Sequence, residues 1–491
     1  MAQGLLPYKY EEEKQTSGMT SLGGLPVYLD LASILNLGEC ITTHLQVKTQ
    51  GWTDEQIIMS LILLNLAGGD SIDDLRILEA DEGFCRILRH IELKGLKRKE
   101  RRETERRWRK EKHRSVPSPS AVFRYLAAFH EDYARIEGKA VIPPLAELTS
   151  ALAHINADLV AAIQKRNPTD CATLDMDATL IETAKKEALF SYQGYKAYQP
   201  LNTYWAEQGL ILNTEFRDGN VPAGYEQLRV FIHALSFLPE GIKTVRLRSD
   251  TTGYQHDLMA YCDQGKDARF GRIEFAIGAD VTPEFKKAVK EAQEWHSLHD
   301  HKGHITGQWT EVCFVPNAEC HTKKGQPYRY LAIRGELKQP HLPGMLPFQT
   351  IAFDNAQYKL FALVTNMEWE GEDLIRWHHK RCGKSEEAHA VMKEDLAGGR
   401  LPSGKFGENA AWWSIMVLAH NLNTAMKNLV LQGSWATRRL KALRFSLINL
   451  PARVIERSRQ LFIRLAGNHP SFDLLVNARM RIMELRYVPT G

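Results

Sequence analysis

Apolar residues recur at helical spacing through much of the first 145 positions. The run 57–66 is opened by Thr53-x-x-Gln56, a capping-box pattern that satisfies free backbone N–H groups, and is stopped by Gly68-Gly69. Ser71-x-x-Asp74 opens a second helix, and Val122, Tyr125, Leu126 and Phe129 predict a third over 121–130 after Pro117-Ser118-Pro119-Ser120. From Cys171 the period shortens to two. Segments 172–181, 201–207 and 210–217 predict three strands of an antiparallel meander, with Gln208-Gly209 as the turn between the last two. Helix and strand then alternate: a helix over 225–238, a strand over 244–249, a helix over 255–262, a strand over 273–279 and a helix over 283–292. Strands return at 310–315, 328–333 and 348–365, the last broken near Asp354-Asn355; helices resume at Leu374 and include 409–430 and 452–465. The pattern predicts an α/β fold. Its parts are a helical region over 1–145, the first part of a mixed-sheet core over 165–294, a strand-rich insertion over 295–366, the end of the core over 367–430 and a helical C-terminal region over 431–491.

A length of 491 residues with 44% hydrophobic and 25% charged residues supports a large buried core. The longest apolar stretches, 57–67 and 410–419, are interrupted by Ser or Asn and fall short of the roughly 20 residues a membrane span needs. The opening MAQGLLPYKYEEEKQ carries neither signal-peptide nor transit-peptide character, so a cytoplasmic protein is expected. Seven scattered cysteines without Cys-x-x-Cys argue against a disulfide framework and a zinc ribbon. The net charge of +4 hides an asymmetry. Segment 94–114 holds twelve Lys/Arg against four Asp/Glu, a balance of +8 that leaves −4 for the remainder. A mildly acidic body with one dense basic segment predicts a localised polyanion contact. Beside it, the short helices with Gly turns fit either a helix-turn-helix reader or plain packing units.

Three acidic positions stand out. Asp175 and Asp177 share one side of strand 172–181 by its two-residue period, and burying a carboxylate is costly unless it is paired or binds a metal. Asp250 directly follows strand 244–249, where α/β sheets place ligands, although Asp is also a common turn residue. On the helix beginning near Lys384, Glu386, His389, Ala390 and Lys393 share a face; the plain alternative is an acidic helix start with a solvated lysine. Other candidates are weaker. His296, His299, His301, His304, Cys313, Cys320 and His321 lack zinc-finger spacing and read as a polar linker into the insertion. Trp369, Trp377, Trp412 and Trp413 read as core, and no phosphate-cradling Gly-rich loop occurs.

In order, Asp177-Ala178-Thr179, Leu247-Arg248-Ser249-Asp250 and Glu386 with Lys393 resemble the DDE transposases of bacterial insertion sequences. The segments Tyr195-Lys196-Ala197-Tyr198-Gln199-Pro200-Leu201, Phe406-Gly407-Glu408-Asn409-Ala410-Ala411-Trp412-Trp413 and Leu418-Ala419-His420-Asn421-Leu422 are similar to the insertion sequence 1380 family. The resemblance covers most of residues 20–480. It implies a ribonuclease H-like core in which Asp177, Asp250 and Glu386 are catalytic and hold two Mg²⁺ ions, with Mn²⁺ as a substitute. Asp and Glu oxygens suit such hard cations, and a metal pair serves both ends of phosphodiester displacement. It also implies cleavage and transesterification at the element's terminal inverted repeats through a hairpin, joining to double-stranded target DNA, a homodimer on DNA, and a bacterial cytoplasmic, nucleoid-associated protein. One insertion aromatic is permitted to stack on a flipped base. The basic segment, including Arg101, Arg102, Arg106 and Arg107, is then expected on DNA phosphates, with Lys393 beside the Glu as a further phosphate contact. The family signature of Tyr, Arg, Glu and Lys falls here on His379, Cys382, Glu386 and Lys393, so the first two depart from it. Arg381 is the candidate for the missing cation, and His378 or Trp377 for the aromatic. A domesticated, catalytically silent DNA-binding protein, and a metal-dependent nuclease without strand transfer, are the alternatives.

Overall fold

The computed structural model describes residues 17–111, 114–134, 136, 138–300, 302–316, 325, 327–337, 348–353, 356–458 and 460–487. Strand β1 (Met19–Thr20) leads into helices α1 (Pro26–Ile34), α2 (Leu37–His44), α3 (Asp54–Ala67), α4 (Leu75–Ala80), α5 (Glu82–Glu92), α6 (Arg98–Glu111), α7 (Pro119–Ala127) and α8 (Glu147–Arg166). The capping box forms: Gln56 N donates to Thr53 Oγ1 at 3.2 Å and Thr53 N to Gln56 Oε1 at 3.0 Å. Unlike its neighbours, α6 has no buried residue from 98 to 106, because nearly every side chain there is charged.

The central sheet begins with β2 (Cys171–Ala178), then passes a small three-stranded sheet of β3 (Ile181–Glu182), β4 (Leu189–Phe190) and β5 (Lys196–Tyr198). It continues through β6 (Leu201–Trp205), β7 (Leu210–Glu215), α9 (Gln227–Ser236), β8 (Thr244–Ser249), α10 (His256–Gln264), β9 (Glu274–Ala279) and α11 (Pro283–Glu291). The order is β7-β6-β2-β8-β9, with β2, β8 and β9 parallel and β6 and β7 antiparallel. Numbered from the first core strand, this is 3-2-1-4-5, the ribonuclease H-like arrangement of a mixed α/β sheet. Strands β10 (His296–His299), β11 (Ile305–Val312), β12 (Arg329–Glu336), β13 (Thr350–Phe353) and β14 (Ala356–Thr365) follow. They extend the same sheet beyond β9, with β14 antiparallel to it. Of the expected polar linker, His296, His299 and His304 lie in the β10–β11 hairpin, where His296 stacks on Trp309 with ring centroids 4.7 Å apart, and His301, Cys320 and His321 lie outside the described residues.

Helices α12 (Gly371–His379), α13 (Arg381–Ala390), α14 (Phe406–Ala425) and α15 (Leu440–Leu443) come next. Trp412 and Trp413, fully buried in α14, anchor a core shared with α3, α7, α8 and β7. Polar pins fix the helix in register: Asn421 Oδ1 accepts from Ile211 N at 2.9 Å, Asn421 Nδ2 donates to Asn156 Oδ1 at 2.8 Å, and Tyr28 OH donates to Asn423 Oδ1 at 2.9 Å. Such buried polar groups are costly unless paired, so they select one packing. The expected helix over 452–465 is instead a hairpin of β15 (Ala452–Arg457) and β16 (Gln460–Leu465), with β1 as third strand. Ala452 and Val454 are buried with Arg453 exposed between them, a period of two that the apolar run 461–463 masks. Helix α16 (Phe472–Glu484) and a short 3₁₀ turn, Leu485–Tyr487, are the last described elements. Among the described residues no helix is long and apolar enough to cross a membrane.

Candidate active site

The parallel register of β2 and β8 builds the site. Asp175 lies opposite Arg248 and Met176 opposite Ser249, so the next positions, Asp177 and Asp250, come side by side at the carboxyl ends of the two strands. Asp175 is fully buried, and its carboxylate takes Arg248 Nε at 2.6 Å and Nη2 at 2.8 Å. This bidentate pair uses up both carboxylate oxygens, which makes Asp175 a structural acid. Arg248 also donates from Nη1 to Trp377 O at 2.6 Å and lies 5.0 Å from the Trp377 ring centroid. His378 Nε2 stands 3.0 Å from Ser249 O. The C-terminal end of α12 is thereby tied to the strand end that carries Asp250.

Asp250 caps the turn Thr251–Gly253, its Oδ1 accepting from Thr252 N at 2.9 Å and Thr252 Oγ1 at 2.5 Å. The adjoining strand leaves it room. A Cβ on Gly278 of β9 would lie 3.0 Å from Thr251 N and 3.2 Å from the Asp250 carbonyl carbon, closer than most side chains come to backbone.

Within α13 the backbone kinks at Cys382 and Gly383, the glycine at φ +94°. The kink sets Arg381 apart from the regular turn that carries Ser385, Glu386 and His389. Arg381 Nη1 reaches Asp177 Oδ2 at 3.5 Å, Ser385 Oγ donates to the same oxygen at 2.6 Å, and His389 Nδ1 stands 3.9 Å from it. Lys393 extends Nζ to Leu180 O at 3.4 Å, just past the end of β2. Burial, reinforced by the neighbouring Asp250 charge, pushes the Asp177 carboxyl above its usual range, against Ser385 and Arg381. Burial, with Lys393 and Arg381 nearby, lowers His389 to about 4, so its ring is neutral beside Asp177.

Glu386 is exposed and makes no hydrogen bond or ion pair among the described residues. The helix turns Ser385, Ala388, His389 and Met392 inward, which leaves Glu386 one position to the solvent side. Asp177 and Asp250 suit a divalent cation: they are adjacent carboxylates whose mutual repulsion such an ion would relieve. Glu386 does not stand with them, and among the described residues no group of three or more His, Cys, Asp or Glu is close enough to hold a metal.

Most of the basic segment is helix α6, and its side chains differ. Arg101 Nε is bound to Glu105 Oε1 at 3.1 Å, whereas Arg102 and Arg106 are exposed, and the Arg107 side chain lies outside the described residues. Trp369 and Trp377 pack edge to face at 5.5 Å beneath Arg246 and Arg248. Asp175, Asp177 and Asp250 were visible as acids in sequence, but the roles of Arg248 and Ser385 were not, since neither lies in an unusual local pattern.

Two carboxylates side by side at the ends of central parallel strands supply the hard oxygen donors that phosphodiester chemistry on divalent metal uses. The family model described as Transposase DDE domain group 1 matches residues 11–487, and the chain belongs to that family, whose DNA-cleaving chemistry depends on divalent metal. Among solved structures, the chain is similar to a piggyBac transposase in a synaptic complex with hairpin DNA, determined by cryo-electron microscopy. That likeness has 10% identity and a TM-score of 0.39, covering 87% of this chain and 80% of the other. No curated protein matches the chain.

Proposed function

We propose that the protein is a transposase of the insertion sequence 1380 type, bacterial and cytoplasmic, and nucleoid-associated when bound to DNA. It binds the terminal inverted repeats of its own element as a homodimer on double-stranded DNA. Each end is nicked by hydrolysis, and the freed 3′-hydroxyl then attacks by transesterification, through a hairpin on the element end, before joining to target DNA. Asp177, Asp250 and Glu386 would hold two Mg²⁺ ions, with Mn²⁺ as a substitute; metal so bound activates the attacking hydroxyl and stabilises the leaving oxygen. The observation that carries this reading is the register that sets Asp177 beside Asp250.

The chain's own residues orient the acids. Arg248 and Asp175 hold α12 against β8 and so fix the approach of the segment that bears Glu386. Arg381 and Ser385 steer the Asp177 carboxylate, and Lys393, a compact point charge beside Leu180, is the proposed phosphate contact. Region 1–145 is the proposed DNA-binding part, with α6 laying Arg101, Arg102, Arg106 and Arg107 along the phosphates.

The exposed Glu386 favours a second reading, a catalytically silent DNA-binding protein; a nuclease without strand transfer is the third. One assay separates all three. DNA from the flanks of the gene, carrying inverted repeats, is incubated with protein and Mg²⁺, and products are resolved on denaturing gels. The proposal expects hairpin-ended element fragments and target-joined strands. Simple nicks alone indicate the nuclease, and binding without cleavage indicates the silent protein.

A further inference from the structure

Helix α16 is apolar on two separate sides. Leu475, Ala478 and Ile482 are buried against the body, as its packing on α1 requires. On the other side Phe472, Val476, Met480 and Met483, continued by Tyr487 in the closing turn, form a ridge; they are 52, 41, 55, 59 and 84% exposed. A surface helix ordinarily turns polar residues to water, so a contiguous apolar ridge marks a docking surface.

The charges beside the ridge say what docks. At about 100° per residue, Asp473 and Glu484 fall on one flank and Arg479 and Arg486 on the other. Arg479 is held on its flank by Asp30 at 2.8 Å. We propose that the occupant is a second copy of this chain, related by a two-fold axis running along α16. Such an axis lays the acidic flank of each copy on the basic flank of the other, with Glu484 level with Arg486 of the second copy. An antiparallel pairing would instead set acid against acid and base against base. Each ridge side chain exposes on the order of 100 Å², so two ridges cover on the order of 1,000 Å², the lower edge of a specific interface. Ile91, 42% exposed, lines the groove beside Met483 and Arg486 and widens the patch.

This interface deepens the homodimer in the proposed function but needs no DNA, which keeps the two separable. Sedimentation velocity of the full chain without DNA should give the mass of two chains. Met480→Glu should reduce it to one chain with the circular dichroism of the wild type, because the residue lies outside the chain's own core. Glu484→Arg should weaken dimerisation about ten-fold, and adding Arg486→Glu should restore it. A one-chain mass for the wild type, a dimer that survives Met480→Glu, or a charge reversal that fails to restore would each overturn the proposal. A one-chain mass with normal end cleavage would remove this interface and leave the activity standing; an intact dimer without cleavage would do the reverse.

Discussion

Asp175 and Asp177 sit two residues apart on one strand face, yet their fates differ because β8 ends between them. Asp175 meets Arg248 inside the sheet and is sealed at 0% exposure, while Asp177 passes the last strand pair and meets Asp250. Asp175→Ala should therefore destabilise the fold by about 3–5 kcal/mol, the cost of leaving a buried arginine uncompensated. Chemical denaturation measures it, and an unchanged midpoint would show that the pair does not hold α12. A second residue-scale expectation concerns His420, buried in α14, where desolvation lowers its pKa to about 4. The unfolded chain takes up this proton first, so the neutral ring's contribution is complete above about pH 6.5 and is lost as pH falls toward 4. Tm should decline across that window, and His420→Gln should flatten the decline.

At the scale of elements, the period in the sequence located most of the central sheet, and it failed where a partner came from far away. Strands 244–249 and 274–279 alternate or run apolar on their own terms, so they were legible. The β15–β16 hairpin depends on residues 19–20 for its third strand, and the consecutive apolar Leu461, Phe462 and Ile463 hide the two-residue alternation that would have marked a strand. The kink in α13 was likewise illegible, since Gly383 shows its φ of +94° only once Arg381 and Ser385 are both drawn to Asp177. The charge of α6 was plain in the sequence, whereas its helical form was not predicted. Because Arg102 and Arg106 are exposed, replacing both with Gln should lower the slope of log affinity against log salt by about 2, by counterion release. Replacing Arg101 alone should change it less, as its guanidinium is engaged with Glu105. An unmoved slope in filter binding across a salt series would take α6 off the DNA.

Across the whole molecule, the first and last described elements pack on each other. Strand β1 joins the hairpin at 452–465, α1 packs on α16, and α3 and α8 pack on α14, so the helical parts form one support behind the sheet. Asp177 and Asp250 stand at the carboxyl ends of β2 and β8, where we propose that the chemistry occurs. The account's central claim is that these two acids, and not Asp175, carry divalent-metal-dependent DNA cleavage. The direct measurement is cleavage of end-bearing DNA by Asp177→Asn and Asp250→Asn proteins, with Tm and DNA affinity recorded on the same samples. The account predicts that both variants fold and bind as the wild type does and cut nothing. Cleavage at the wild-type rate by both would contradict it.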